Sequence, residues 1–221
     1  MKRREEFCFE VATDDDSFDY FYHEMHLPTM RMRHGDHLRT EPKDSAYECL
    51  FRHGILGFVN VGGVRLAGLL GRISDNKQKI TSRLVGVLNG DPTVHRQAWL
   101  KVADHLLLAW AEQNGVAVVD FHGIEAWISN GVYQRKRQLG PRLELAPNHQ
   151  GHLRVWWHAQ RDTPLVRDFL TVNPVVEINA GGSLRAVYFC DDDRPARRDL
   201  PYQCANVTET RTIHLDEFLS Q

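Results

Sequence analysis

The chain of 221 residues is 42% apolar and 25% charged, a composition that fits a folded globular protein and excludes a disordered one. Its 27 Lys and Arg against 29 Asp and Glu leave a formal charge of −2, which excludes a bulk positive field for nucleic acid or anionic membrane and leaves only local patches. The opening MKRREEFCFE has no apolar stretch behind its charges and no long apolar run occurs elsewhere, so the expectation is a cytoplasmic protein without a secretory leader or a membrane span.

The β-prone run Phe7-Cys8-Phe9-Glu10-Val11 predicts a first strand, and Asp14-Asp15-Asp16-Ser17 behind it supplies an N-cap and first-turn carboxylates for a helix. Phe18, Phe21, Tyr22 and Met25 recur at three- and four-residue spacing. The pattern breaks at Leu27-Pro28 and resumes through Met30 and Met32, which fits two short helices or one kinked at Pro28. Beyond a polar loop at 39–44, residues 47–52, 55–61, 64–73 and 79–88 are β-rich and separated by His53-Gly54, Gly62-Gly63 and Asp75-Asn76-Lys77, an antiparallel meander. Asp91 then caps, and Pro92 opens, a long helix with the stripe Trp99, Val102, Ala103, Leu106, Leu107 and Trp110, closed at Asn114-Gly115. The continuous apolar run Val116-Ala117-Val118-Val119 reads as a buried strand in parallel pairing at the centre of the sheet.

A loop at Phe121-His122-Gly123 leads to a helix over 124–138, closed by Gly140-Pro141, and then to strands at 142–145 and 152–158. Residues 164–170 read as a short helix, and 174–179 and 184–189 as a hairpin turning at Gly181-Gly182. The tail beyond Asp191 is polar until 213–219. On this reading residues 1–160 form a core domain and residues 161–221 a helix-hairpin extension packed on it.

The element order and three strings, FYHEMHLPTMRMRHG at 21–35, NGVYQRKRQLG at 130–140 and DFLTVNP at 168–174, resemble the FemAB-like branch of the GCN5-related acyltransferase superfamily over residues 7–190. The resemblance implies an α/β (α+β) fold of the acyl-CoA N-acyltransferase type, with a mixed, mostly antiparallel central sheet flanked by helices. It also implies direct transfer of an activated acyl group, from acyl-CoA or aminoacyl-tRNA, to a small-molecule or peptide amine. That chemistry needs a base for the amine, a donor for the carbonyl oxygen and an acid for the leaving group. The acyl donor of such a fold sits where the central parallel strands splay, here between 79–88 and 116–120. His122 and Glu125 flank that point as candidate bases. Lys136 falls where the family often places the tyrosine that protonates coenzyme A sulfur, and Tyr133, one turn earlier, is its substitute.

Acyl-CoA users in the superfamily share an Arg/Gln-x-x-Gly-x-Gly/Ala loop that holds the pyrophosphate on backbone N–H groups. The stretch here is Asn89-Gly90-Asp91-Pro92-Thr93-Val94-His95-Arg96, in which Pro92 removes a donor and Asp91 places a carboxylate where the anion would sit. Asn89, Gly90, His95 and Arg96 are the remaining candidates for a cofactor contact. The rival reading is a non-catalytic binding or assembly module that keeps the fold after losing that loop. A splay filled by side chains such as Leu88 or Phe121 would support it.

Other signals carry less. His23 and His26 share a helical face, but the spacing matches no metalloprotease pattern, twelve histidines produce such pairs by chance, and no metal is expected. Four cysteines far apart in sequence predict free thiols, and no Gly-x-Ser-x-Gly string supports a hydrolase. Trp156-Trp157 beside Arg154 predicts a strand with one tryptophan on each face. Docking of tRNA would have to use Arg135, Lys136, Arg137 and Arg142 together with the arginines of 194–198. A symmetric homodimer is the expected assembly.

Overall fold

The computed structural model describes residues 7–38, 40–96, 98–146, 149–152, 158–179 and 181–220. The chain divides into two compact units, Met1–His122 and Gly123–Gln221, a boundary well before the expected one at 160. No helix among the described residues is long and apolar enough to cross a membrane.

The first unit is built on a five-stranded sheet, β1 (Phe7–Ala12), β2 (Gly54–Val61), β3 (Val64–Ile73), β4 (Lys79–Val87) and β5 (Val118–Asp120), in that spatial order. The first three pairings are antiparallel and the last is parallel, so the expected mixed, largely antiparallel sheet flanked by helices is the architecture found. Gly62 and Gly63 both take positive φ at the β2–β3 turn, which matches the twist of the flanking strands.

One face of this sheet is covered by a continuous helical stretch. It runs through α1 (Asp15–Tyr20), a π-helical turn (Phe21–His26) and α2 (Leu27–His34). Asp14 caps it as expected, accepting from the Ser17 N–H at 2.8 Å. The π turn resolves the ambiguity at Pro28: proline has no N–H for the ladder and its ring clashes with the carbonyl four residues back, so the helix widens to an i−5 bond from Leu27 N–H to Tyr22 O. Phe18, Phe21, Tyr22 and Met25 are buried on this face, each worth about 1.5–3 kcal/mol of burial on the usual transfer scale. Residues 47–52, expected as a strand, instead form the end of α3 (Lys43–Cys49) and a 3₁₀ turn (Phe51–His53). Tyr47 and Phe51 stand at i, i+4, and both rings meet Phe18, at 5.2 and 5.0 Å between centroids.

The other face carries α5 (Trp99–Gln113), which buries Leu100, Ala103, Leu107 and Ala111 against Ile55, Val59, Leu69, Ile80 and Val87. The single helix expected from Asp91 is broken. A short α4 (Pro92–Arg96) ends before Ala98, which sits at φ 63 in the left-handed region. The 116–119 run does lead into a parallel strand, but β5 is short and lies at the edge of the sheet, with Val118 half exposed.

The second unit has a three-stranded sheet in the order β6 (Val175–Ile178), β7 (Leu184–Cys190), β8 (Val207–His214). β6 and β7 form the expected hairpin, and β8 is a parallel partner the sequence reading missed. Only Val207 and Ile213 of β8 are buried, so the alternation that announces a strand is absent. The expected helix over 124–138 shortens to α6 (Gly131–Arg137), capped by Asn130, because Trp127 is drawn into a bridge with Val175. Residues 142–145 form no strand, and the strand expected at 152–158, with Trp156-Trp157, lies largely outside the described residues. α7 (Pro164–Val172), capped by Thr163, and α8 (Leu215–Leu219) complete the unit. Arg167 ties these parts together, reaching Asp162 at 2.5 Å, Asp191 at 3.0 Å and Asp216 at 2.7 Å. All four cysteines are free.

Candidate functional site

The parallel pair β4–β5 is joined for three residues only, Lys79 to Val118, Ile80 to Val119 and Thr81 to Asp120. β4 continues to Val87 while the chain beyond Asp120 turns away, so the two strands part at Thr81 and Asp120. Two further irregularities fall at that point. The β3–β4 register shifts so that Leu70 faces Leu84 and Gly71 faces Ser82, leaving Arg83 as the extra residue of a bulge. His122 sits at φ 62, a backbone region that costs a non-glycine residue on the order of 1 kcal/mol and often marks a functional position.

The side chains at this parting form a charged chain. Lys79 meets Asp120 at 2.7 Å, and Asp120 also accepts the His122 backbone N–H at 2.7 Å. Burial works against ionisation of Asp120, but Lys79 and the His122 N–H outweigh it and hold the carboxyl below its ordinary value. Arg83 donates to Glu41 at 2.9 Å and to His122 Nε2 at 3.3 Å. A guanidinium only donates, so His122 Nε2 carries the lone pair and the imidazole proton is on Nδ1.

Further along, the outer edge of β4 is met by side chains from the helical stretch. His26 Nδ1 bonds Val85 O at 2.9 Å and its Nε2 meets the Thr40 hydroxyl. Thr29 Oγ1 accepts the Val87 N–H at 2.8 Å and donates to Val87 O at 3.3 Å. Both residues are buried, and burial, opposed by the bond to Val85 O, keeps the His26 pKa below its ordinary value, so the ring is neutral with its proton on Nδ1. The close approach depends on Gly86: a Cβ there would lie 2.5 Å from the Met25 carbonyl carbon.

The residues expected to hold a cofactor are engaged locally. Asn89 and Gly90 take positive φ in a 3₁₀ turn, and Gly90 is buried so closely under Pro28 that a Cβ would stand 2.5 Å from its carbonyl carbon. Asp91 Oδ1 takes the Thr93 N–H at 2.6 Å, which puts a carboxylate on the first turn where a phosphate would need donors. His95 Nε2 accepts from Arg33 at 2.8 Å, and Arg96 reaches Thr93 at 3.3 Å.

Of the four expected catalytic residues, the structure places His122 with Arg83, Glu41 and Asp120, whereas Glu125, Tyr133 and Lys136 belong to the second unit. There Glu125 is exposed and accepts from Asn130 at 3.0 Å, and Lys136 Nζ bonds Gly123 O at 3.1 Å. Tyr133 is buried with its hydroxyl on Tyr202 O at 2.7 Å, and burial foremost pushes its pKa well above the ordinary tyrosine value, which suits a structural hydroxyl better than a proton donor. The sequence reading missed His26, Thr29, Thr40, Glu41 and Arg83; only His26 carried a signal, as the second histidine of a pair, and its ring bonds Val85 O of β4 and the Thr40 hydroxyl. Of the expected tRNA contacts, Arg194 is paired with Asp168 and Asp191, and Arg197 with Asp199, so the 194–198 cluster is largely neutralised.

No family model matches the chain, and no curated protein matches it. Among solved structures, an aminoglycoside N-acetyltransferase in complex with CoA is similar at a TM-score of 0.37 and 13% identity, over 73% of this chain and 99% of that one.

Proposed function

We propose that the protein is an N-acyltransferase of the FemAB-like type whose reaction centre lies where β4 and β5 part. The observation that supports this reading is the three-residue parallel pairing, with Arg83 on its bulge and the strained His122 placed directly beyond it. In the reaction the amine nitrogen bonds to the acyl carbonyl carbon, the bond from that carbon to the donor's sulfur or oxygen breaks, and the amine proton goes to a base. In this reading Arg83 serves the developing oxyanion and the His122 imidazole takes the amine proton. Glu125, the second expected base, belongs to the second unit and is tested separately. The carboxylate of Asp91 on the first turn of α4 disfavours a pyrophosphate cradle at 89–96 for an acyl-CoA donor; aminoacyl-tRNA is the other donor.

A second reading, a non-catalytic binding module on this fold, is favoured by a specific observation. The β4 edge exposed by the parting is occupied by His26 and Thr29. The deciding experiment incubates the protein with acetyl-CoA, or with charged tRNA, and a panel of amines, and follows donor breakdown together with the mass of the acylated amine. Amine-dependent turnover that falls about 100-fold in His122→Ala supports the first reading and its base. Turnover unchanged in His122→Ala and in Glu125→Ala removes the site assignment. No turnover with either donor, and no binding of acetyl-CoA by titration, favours the second reading.

A further inference from the structure

The second unit holds a cavity of about 550 Å³, within the size range of small-molecule sites. Its walls are apolar, built by Ile124, Leu143, Val176, Ile178 and Phe189. Three carboxylates, Glu125, Glu144 and Glu177, lie around it. Two of them have cations of their own: Glu144 is paired with Arg142 at 2.9 Å and Glu177 with Arg185 at 2.5 Å. Glu125 differs, because its partner at 3.0 Å is the neutral amide of Asn130. The cavity therefore presents hydrocarbon walls with one carboxylate at the rim whose charge is uncompensated by that partner.

We infer that this cavity binds a primary amine with an apolar body, its ammonium on Glu125 and its hydrocarbon against Ile124, Leu143, Val176 and Ile178. A cation meeting a carboxylate beside apolar walls gains a charge-assisted hydrogen bond as well as the burial of its chain. An alcohol of equal length gains only the burial, and a carboxylate of equal length is repelled. The inference goes beyond acyl transfer and does not depend on it: binding is read directly, so a protein that holds amines but transfers no acyl group would lose only the proposed function.

The test is calorimetric titration of the full chain with octylamine, octanol and octanoate, each below its aggregation limit. The expected order is octylamine tighter than octanol by about threefold, with octanoate weaker than octanol. Glu125→Gln, an exposed substitution that keeps an oxygen for Asn130, brings octylamine down to the level of octanol. Ala126→Trp, at an exposed position on the rim, weakens both ligands and so places them in this cavity. Equal affinity for amine and alcohol, an amine preference that survives Glu125→Gln, binding that Ala126→Trp leaves unchanged, or no binding at all would each overturn the inference.

Discussion

His26 is only 2% exposed and both ring nitrogens are engaged, so folding holds it neutral in a place where a charged imidazole would be poorly solvated. Its folded pKa is depressed by burial below the 6.5 of a free imidazole. The sign follows: as pH falls through about 6.5 toward the folded value, the unfolded chain takes up the proton first, and stability is lost; above that window His26 contributes no slope. Urea unfolding of wild type between about pH 7.5 and 5.5 should therefore lose more stability than the same titration of His26→Asn, in which the other groups titrate unchanged. Parallel losses in the two proteins would show that His26 is not held neutral. Thr29→Val should cost about 1–3 kcal/mol in the same assay, because it strips both polar groups of Val87 of their partner in a buried place. Neither role was legible in the sequence. His26 announces itself only as half of a His-x-x-His pair, and Thr29 as an ordinary residue after proline; what makes them matter is the strand that ends up beside them.

At the level of elements, local rules succeeded where local chemistry decides. Asp14 caps the helix that follows it, Gly62-Gly63 turns the β2–β3 hairpin, and the apolar run before Asp120 leads to a parallel strand. They failed where packing between distant segments decides. Tyr47 and Phe51 fall in a run that reads as a strand, since aromatics favour strands, but their partner is Phe18, which their helical spacing lets both rings reach. The break at Ala98 has no glycine or proline to mark it at that position. Alanine at φ 63 is strained, so Ala98→Gly is expected to raise stability by about 0.5–1 kcal/mol, and an unchanged or lowered melting temperature would argue against a left-handed residue there. The π turn makes the opposite prediction at Gly86. A methyl group there meets helix backbone rather than a flexible side chain, so Gly86→Ala is expected to cost more than about 1 kcal/mol, and thermal melting of the pair of variants should move in opposite directions.

Across the whole molecule, the division at His122 and Gly123 separates two sets of cores. Phe18, Phe21, Met25 and Phe58 on one face of the larger sheet, and Leu69, Ile80, Leu100 and Leu107 on the other, belong to the first unit. Ile128, Tyr133, Ala186 and Tyr188, and Leu170, Val187, Phe189 and Leu215, belong to the second. The sequence reading saw one core and an extension because strands were expected at 142–145 and 152–158, which would have carried the first domain past Gly123; their absence at 142–145, together with the unforeseen β8, gives the later residues a sheet of their own. Among the described residues, Lys79–Asp120 and Arg83–Glu41 are ion pairs within the first unit, and Arg167 with its three aspartates lies within the second. A unit that owns its core and its ion pairs has what a domain needs to fold alone. Residues 1–122 and 123–221, produced separately, are therefore each expected to melt cooperatively with retained far-ultraviolet dichroism. The sharper comparison is with a cut at 160: residues 1–160 would carry α6 and Tyr133 without Tyr202, whose carbonyl the Tyr133 hydroxyl needs, and residues 161–221 would carry β7 and β8 without Ile128 and Tyr133 beneath them. If the pieces cut at 160 fold and those cut at 122 do not, the division into these two units is wrong.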